Sequence, residues 1–115
     1  MKRRGRKMTV NELIVQLEAE VLSLPDGDKN VSGCYCGDLL SWVMGKAQSE
    51  NVWVTIMSNI NVPAVASLAD VGCVIIAENS RPDAQVVSVA QEKGVNILMM
   101  PNSAYEICLK LGKLL

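Results

Sequence analysis

The chain contains no histidine and no phenylalanine among its 115 residues. Histidine is the commonest general acid and base in enzymes, so its absence removes the Ser–His and Cys–His nucleophile pairs and most catalytic zinc sites. The sequence also lacks a Walker loop and a GxGxxG motif after a strand, the usual phosphate cradles. We therefore expect a protein that is not an enzyme and carries no cofactor. An enzyme remains an alternative, because burial can activate a carboxylate or a thiol in ways that a sequence does not reveal.

Long apolar segments are absent too, since none approaches the roughly 20 residues that span a bilayer. The basic residues at positions 2–7 are followed by Glu12, Glu18 and Glu20 and not by an apolar signal region. We expect a cytoplasmic protein with no membrane contact. Residues 1–7 are predicted to be a disordered basic tail, and residues 8–115 a single domain. Five of the 11 basic residues lie in the tail and all 12 acidic residues lie beyond it, so we expect no nucleic-acid partner.

Hydrophobic residues make up 50% of the chain and are mostly aliphatic. Such a composition suits buried parallel strands covered by helices. Strands are predicted over residues 52–57, 71–77 and 95–100, and a helical pattern follows each of them. Successive strand–helix units predict an α/β fold with a mainly parallel sheet and helices on both faces. The opening third is predicted to hold a helix after residue 9, a strand over 20–24 and an edge strand over 30–35.

Helix starts are marked by capping residues and prolines. Thr9 with Glu12, and Ser103 with Glu106, have the spacing of capping boxes. Three further helices have predicted boundaries: Asp38 caps a helix over 39–47, Asn61 caps a helix over 62–69, and Pro82 and Gly94 start and end another helix.

Polar residues follow the three predicted parallel strands. The carboxyl ends of parallel strands share one rim, where ligands usually bind. We predict ligand-binding residues there: Asn59, Asn61, Asn79, Ser80 and Arg81, with Asp38, Ser41 and Thr55 as second choices. Arg81 is the only cation in this set and is expected to face an anionic group. The simpler alternative is that these residues cap helices, which explains Asn61 and Ser103 but explains Asn59, Asn79 and Arg81 less well.

The sequence contains four cysteines, and its N-terminal region does not read as a secretory signal, which favours a reducing compartment. Cys73 and Cys108 lie in apolar segments and are expected to behave as small buried hydrophobes. Cys34 and Cys36 would face the same side of a strand. We expect inert thiols and no metal; the alternative is a four-thiolate zinc or iron–sulfur site.

The two tryptophans, Trp42 and Trp53, are expected to pack in the interior, because aromatic rings bury large areas. The alternative is that one of the rings stacks on a ligand base beside the polar loops.

Several segments together point to a known family. Residues 33–45 read GCYCGDLLSWVMG, residues 53–55 read WVT and residues 59–66 read NINVPAVA. With RPD at 81–83 and GVNIL at 94–98, the chain resembles the DRTGG domain family from about residue 8 to its end. The Asp-Arg and Thr-Gly-Gly elements that name the family are missing, and residues 77–82 read AENSRP where Thr-Gly-Gly would follow a strand. The sequence therefore looks like a stand-alone branch of that family.

This resemblance implies a regulatory module. Similar domains accompany paired CBS domains in regulated pyrophosphatases and the N-terminal region of long phosphate acetyltransferases, and their fold is similar to the N-terminal domain of HPr kinase. The resemblance also implies a homodimer. We predict a non-catalytic ligand-sensing domain that binds a small polar metabolite or nucleotide at the C-terminal rim of its sheet and regulates a larger protein. The alternative is a homodimeric adaptor for a redox or metabolic protein, which docks through an apolar patch of Trp42, Val43 and an edge strand.

Overall fold

The computed structural model describes residues 7–115. The predicted basic tail lies outside the described residues except for Lys7, whose Nζ lies 2.6 Å from Glu50 Oε1. None of the helices within residues 7–115 has the length and apolar character that crossing a membrane requires.

Strands and helices alternate along most of the described chain. The strands are β1 (Met8–Thr9), β2 (Glu20–Ser23), β3 (Asn30–Val31), β4 (Cys34–Cys36), β5 (Val52–Thr55), β6 (Cys73–Ile76) and β7 (Ile97–Met99). The helices are α1 (Val10–Leu17), α2 (Leu40–Lys46), α3 (Asn61–Ala69), α4 (Ala84–Lys93) and α5 (Ala104–Leu114).

Five strands form the main sheet in the order β2-β7-β6-β5-β4. Strands β4, β5, β6 and β7 run parallel, and β2 pairs antiparallel with β7. The predicted α/β fold with a mainly parallel sheet is confirmed. The prediction of a single edge strand over residues 30–35 is wrong. The extended backbone is interrupted at Gly33, which has a φ of 71°. On either side of that left-handed residue, β3 pairs with β1 in a separate two-stranded sheet and β4 pairs with β5.

The main sheet separates two hydrophobic cores, with helices on both faces as predicted. Successive side chains of β5 point to opposite faces of the sheet, so Val52 and Val54 belong to one core and Trp53 belongs to the other. Helices α1 and α5 cover the first face, and α2, α3 and α4 cover the second. The packing interpretation is right for Trp53, which is fully buried and donates from Nε1 to Gly37 O at 2.9 Å. It is wrong for Trp42, which is 57% exposed on α2 with Lys46 Nζ 4.9 Å from its ring centroid.

The structure confirms both predicted capping boxes but not the predicted caps of α2 and α3. Both capping boxes form, with Thr9 and Ser103 each accepting from a main-chain N–H three residues on. Asp38 does not cap α2, whose N-cap is Leu39 without a side-chain bond. Asn61 is the first residue of α3 and not its cap, and Asn59 Oδ1 accepts from its N–H at 2.9 Å. The helix predicted to start at Pro82 begins two residues later, at Ala84, and Gly94 terminates it in a left-handed conformation, as expected.

Candidate functional site

A cleft of about 540 Å³ opens between the loops that follow β5 and β6. Ligands in open α/β sheets usually bind where the strand order reverses. In this sheet the strands from β4 to β7 are neighbours in chain order, so the order does not reverse among them. The cleft lies instead between two neighbouring loops, at the starts of α3 and α4. Its lining residues are Ser58, Asn59, Ile60, Arg81, Pro82, Asp83, Gln85 and Val86.

A tight turn after β6 places Arg81 at this cleft and Ser80 beside it. Ser80 N–H donates to Ala77 O at 3.2 Å, and the two central residues, Glu78 and Asn79, have φ values of 57° and 52°. Positive φ at both central positions is the geometry of a type I′ turn, which glycine and asparagine adopt more readily than glutamate. Main-chain bonds hold the turn in place, from Glu78 N–H to Asn102 O and from Asn79 N–H to Met100 O. Strain of this kind is often retained at functional sites.

Arg81 reaches across the rim to the antiparallel edge strand. Its Nη2 lies 3.0 Å from Glu20 Oε1 and 2.9 Å from Glu20 Oε2. Both side chains remain about half exposed, at 57% for Arg81 and 51% for Glu20. An ion pair so accessible to water contributes little to stability. The guanidinium is therefore held at the cleft by a contact that a competing anion can displace.

The two helices that begin at the cleft add to its preference for anions. The N-caps of α3 and α4, Ile60 and Asp83, both line the cleft and make no side-chain capping bond themselves. One N–H of α3 is already occupied, because Asn59 Oδ1 accepts from Asn61 N–H. Main-chain N–H groups in the first turn of a helix carry partial positive charge, which favours a nearby anion. The Asp83 carboxylate and the Asn59 and Gln85 amides supply acceptors and donors for hydroxyl or amine groups.

The structure brings together only part of the predicted set. Asn59 and Arg81 line the cleft, and Ser80 Oγ lies 3.5 Å from Ser58 Oγ beside it. Five predicted residues are not among those that line it: Asn61, Asn79, Asp38, Ser41 and Thr55.

Asp38 and Thr55 bind each other. Thr55 Oγ1 donates to Asp38 Oδ1 at 2.7 Å, and the same oxygen accepts from Ile56 N–H at 3.0 Å. Thr55 is buried, so this contact ties the segment before α2 to the end of β5 and occupies both side chains. It also explains why Asp38 does not cap α2.

Sequence reasoning missed Asp83 and Gln85 as cleft residues. Both belong to the opening of α4, where the sequence signalled only a helix start. The signal that would have found them is the general position of first-turn residues, which face the rim when a helix follows a parallel strand.

Three of the four thiols cluster on the opposite side of the sheet from this cleft. All four cysteines are free, and Cys34 Sγ lies 4.0 Å from Cys108 Sγ. Burial, followed by the neighbouring Cys108, raises the pKa of Cys34 far above its usual range and that of Cys36 to about 11. Burial alone raises the pKa of Cys73 to about 12. Within residues 7–115 no group of three or more ligating side chains is arranged to hold a metal ion.

No protein-family model matches the sequence, and no curated protein matches it. Among solved structures, the chain is similar to the crystal structure of the CBS and DRTGG domains of the regulatory region of Clostridium perfringens pyrophosphatase, complexed with its activator diadenosine tetraphosphate. The TM-score is 0.69 at 11% sequence identity, and the match covers 89% of this chain and 46% of that one. The likeness shows a related fold, while membership of the DRTGG family stays a prediction. The chain spans about half the length of the structure that it resembles.

Proposed function

We propose that this chain is a non-catalytic regulatory domain that binds a small anionic metabolite or nucleotide in the cleft between the β5–α3 and β6–α4 loops. The observation that carries the proposal is the cleft of about 540 Å³ with Arg81 on its wall. The similar solved structure is the regulatory region of an enzyme crystallised with a nucleotide activator, which supports a regulatory class and makes nucleotides the first compounds to test.

The cleft suits a ligand that has an anionic group at one end and hydroxyl or amine groups at the other. Arg81 and the first turns of α3 and α4 attract the anion. The Asp83 carboxylate repels a second anionic group and accepts hydrogen bonds from hydroxyls. A phosphate carried on a sugar has this distribution of groups, whereas inorganic polyphosphate lacks the hydroxyl end.

A thermal-shift screen of the full chain tests the proposal. The panel comprises adenosine mono- and triphosphate, diadenosine tetraphosphate, dinucleotides, inorganic phosphate and central carboxylate metabolites. A ligand at one hundred times its dissociation constant stabilises the folded state by about 2.7 kcal/mol, which raises the melting temperature by several degrees. A saturable shift with at least one anionic compound is the expected result. A flat response across the panel at millimolar concentration would count against the proposal.

Glu20→Gln is expected to increase the affinity of an anionic ligand by up to about fivefold. The Glu20 carboxylate occupies Arg81 and competes with the ligand, and an exposed pair of this kind is worth about 1 kcal/mol at most. Titration of both proteins with the strongest compound from the screen measures the change. Glu92→Gln is the matched control, because Glu92 is exposed on α4 and its loss changes the net charge equally. Equal gains in both variants would mean that net charge, and not the Glu20 contact, sets the affinity.

The adaptor alternative rests on a separate observation, the exposed apolar surface around α2. Leu39, Trp42 and Met44 are 59%, 57% and 48% exposed. Val43 does not belong to this surface, because it is fully buried. A homodimer or a larger partner protein would cover the three exposed side chains. A flat ligand screen together with a mass that rises with protein concentration would favour the adaptor over the sensor.

A further inference from the structure

Three thiols meet where β4 lies against α5, and we call Cys34, Cys36 and Cys108 the thiol cluster. Cys34 and Cys36 point to one face of β4, while Tyr35 between them packs with the core on the other face. Cys108 faces them from α5, with its Sγ 4.0 Å from Cys34 Sγ. These two residues are 74 positions apart in the sequence. The fold, and not the local sequence, brings the pair together.

The position of β4 gives the sulfurs room to approach. A disulfide requires a sulfur–sulfur distance of about 2.05 Å, so the gap must close by about 2 Å. Strand β4 is three residues long and lies at the edge of the sheet, paired only with β5. An edge strand this short shifts more easily than a central one, because it has ladder hydrogen bonds on one side only.

A pocket beside the cluster gives small molecules access. It has a volume of about 350 Å³ and is lined by all three thiols together with Gly33, Leu111, Gly112 and Leu115. Cys34 and Cys36 are exposed as whole residues, although surrounding groups partly shield the Cys34 thiol from water, and Cys108 is half-buried. At Gly112 an added Cβ would meet no atom within 4 Å, so the helix side of the pocket is open.

We propose that the thiol cluster is an oxidative modification site, at which a low-molecular-weight disulfide converts Cys34 and Cys108 into an intramolecular disulfide joining β4 to α5. The Cys34 thiolate attacks one sulfur of the reagent and expels one thiolate, giving a mixed disulfide. The Cys108 thiolate then attacks Cys34 Sγ and expels the second reagent thiolate. Two protein thiols are oxidised, the reagent is reduced to two thiols, and the two protein protons pass to the leaving thiolates or to water.

The environment of the thiols determines how this reaction behaves. Burial and the neighbouring thiols raise the pKa of Cys34, so little thiolate is present at neutral pH and oxidation accelerates as the pH rises. Disulfides that are exposed or strained are reduced more easily than buried ones, so we expect thiol reductants to reverse the Cys34–Cys108 bond. The site is therefore expected to respond reversibly to oxidation, and to respond faster as the pH rises.

The test is oxidation of the folded full chain with oxidised glutathione at mildly alkaline pH, followed by peptide mapping. Trypsin places Cys34 and Cys36 on one peptide and Cys108 on another, and chymotryptic cleavage after Tyr35 separates the first two. We expect a Cys34–Cys108 link within a single chain. The linked protein should melt about 10 °C higher than the reduced one, because the bond closes a long loop.

Single cysteine-to-serine variants test whether the disulfide joins Cys34 to Cys108 or involves Cys36. Cys36→Ser should retain the link, whereas Cys34→Ser and Cys108→Ser should each lose it. Oxidation in concentrated urea should scatter the pairing among the four cysteines, which shows that the native geometry selects the pair. A Cys34–Cys36 or Cys36–Cys108 link, a bond between two chains, or glutathione adducts alone would each overturn the proposal. These outcomes are independent of ligand binding at the cleft.

Discussion

Arg81→Ala is expected to weaken the binding of an anionic cleft ligand by about 10- to 100-fold. Hydrogen bonds to a charged partner contribute about 1.5–3 kcal/mol, and Arg81 is the one cation among the residues that line the cleft. The fold should survive, because the Arg81–Glu20 pair that is lost is half exposed. Isothermal titration with the strongest compound from the screen gives the affinity, and a melting curve of the free variant checks the fold.

Two further variants test whether the loss of affinity comes from the Arg81 side chain itself. Lys113→Ala removes a cation from the end of α5, which does not line the cleft, and should leave the affinity unchanged. Arg81→Lys keeps the charge but loses the planar fork, so an intermediate affinity is expected. If Arg81→Ala bound a confirmed anionic ligand as tightly as the wild type, the ligand would not contact the Arg81 guanidinium.

Gly72→Ala is expected to destabilise the domain by about 3 kcal/mol. An added Cβ would lie 2.5 Å from Val31 Cγ1 and 2.9 Å from the main-chain oxygen of Asn30. Real Cβ atoms do not approach so closely, and a main-chain oxygen cannot rotate away as a side chain can. The segment before β6 and strand β3 must move apart, which costs as much as a severely overpacked core. Urea denaturation followed by circular dichroism measures the loss.

Gly112→Ala is the matched control for this substitution. Its Cβ would meet nothing within 4 Å, and the residue lies inside α5. Alanine is favoured over glycine in a helix by about 0.5–1 kcal/mol, so this variant should be slightly more stable than the wild type. Equal destabilisation in both variants would show that steric contact at Gly72 is not the cause.

The parts of the fold that depend on local signals were predictable. The β-branched run of β6 and the two capping boxes identify elements whose stabilising contacts lie within a few residues. Predictions failed where a distant partner competes for a capping side chain. Asp38 reads as a helix cap, yet Thr55 and Ile56 bind its carboxylate. Glycine at position 33 permits a positive φ, but it is also tolerated in extended backbone, so the residue alone does not show that the predicted edge strand splits there.

The candidate site was predictable in outline only. Residues in the loop after a parallel strand lie near the rim, which is the basis for predicting Asn59 and Arg81, but the same rule selects Asn61 and Asn79, which do not line the cleft. The Arg81–Glu20 contact joins residues 61 positions apart and depends on β2 entering the sheet antiparallel, which no local pattern indicates. Asp83 and Gln85 lie at the start of α4, a position that the sequence places near the rim, but their contact with the cleft also depends on how α4 packs beside the β5–α3 loop.

The pairing of β2 with β7 constrains the order of events during biosynthesis. Glu20 lies opposite Met99 in this ladder, so β2 is made long before its partner strand. On the ribosome, β5 can pair with β4, and β6 with β5, as each emerges, but β2 has no strand to join until residues 97–99 leave the exit tunnel. Strand β2 must therefore wait without a partner strand, although β1 can already pair with β3 and β4 with β5. Contacts so distant in sequence also slow folding, which makes closure of this ladder the expected last step.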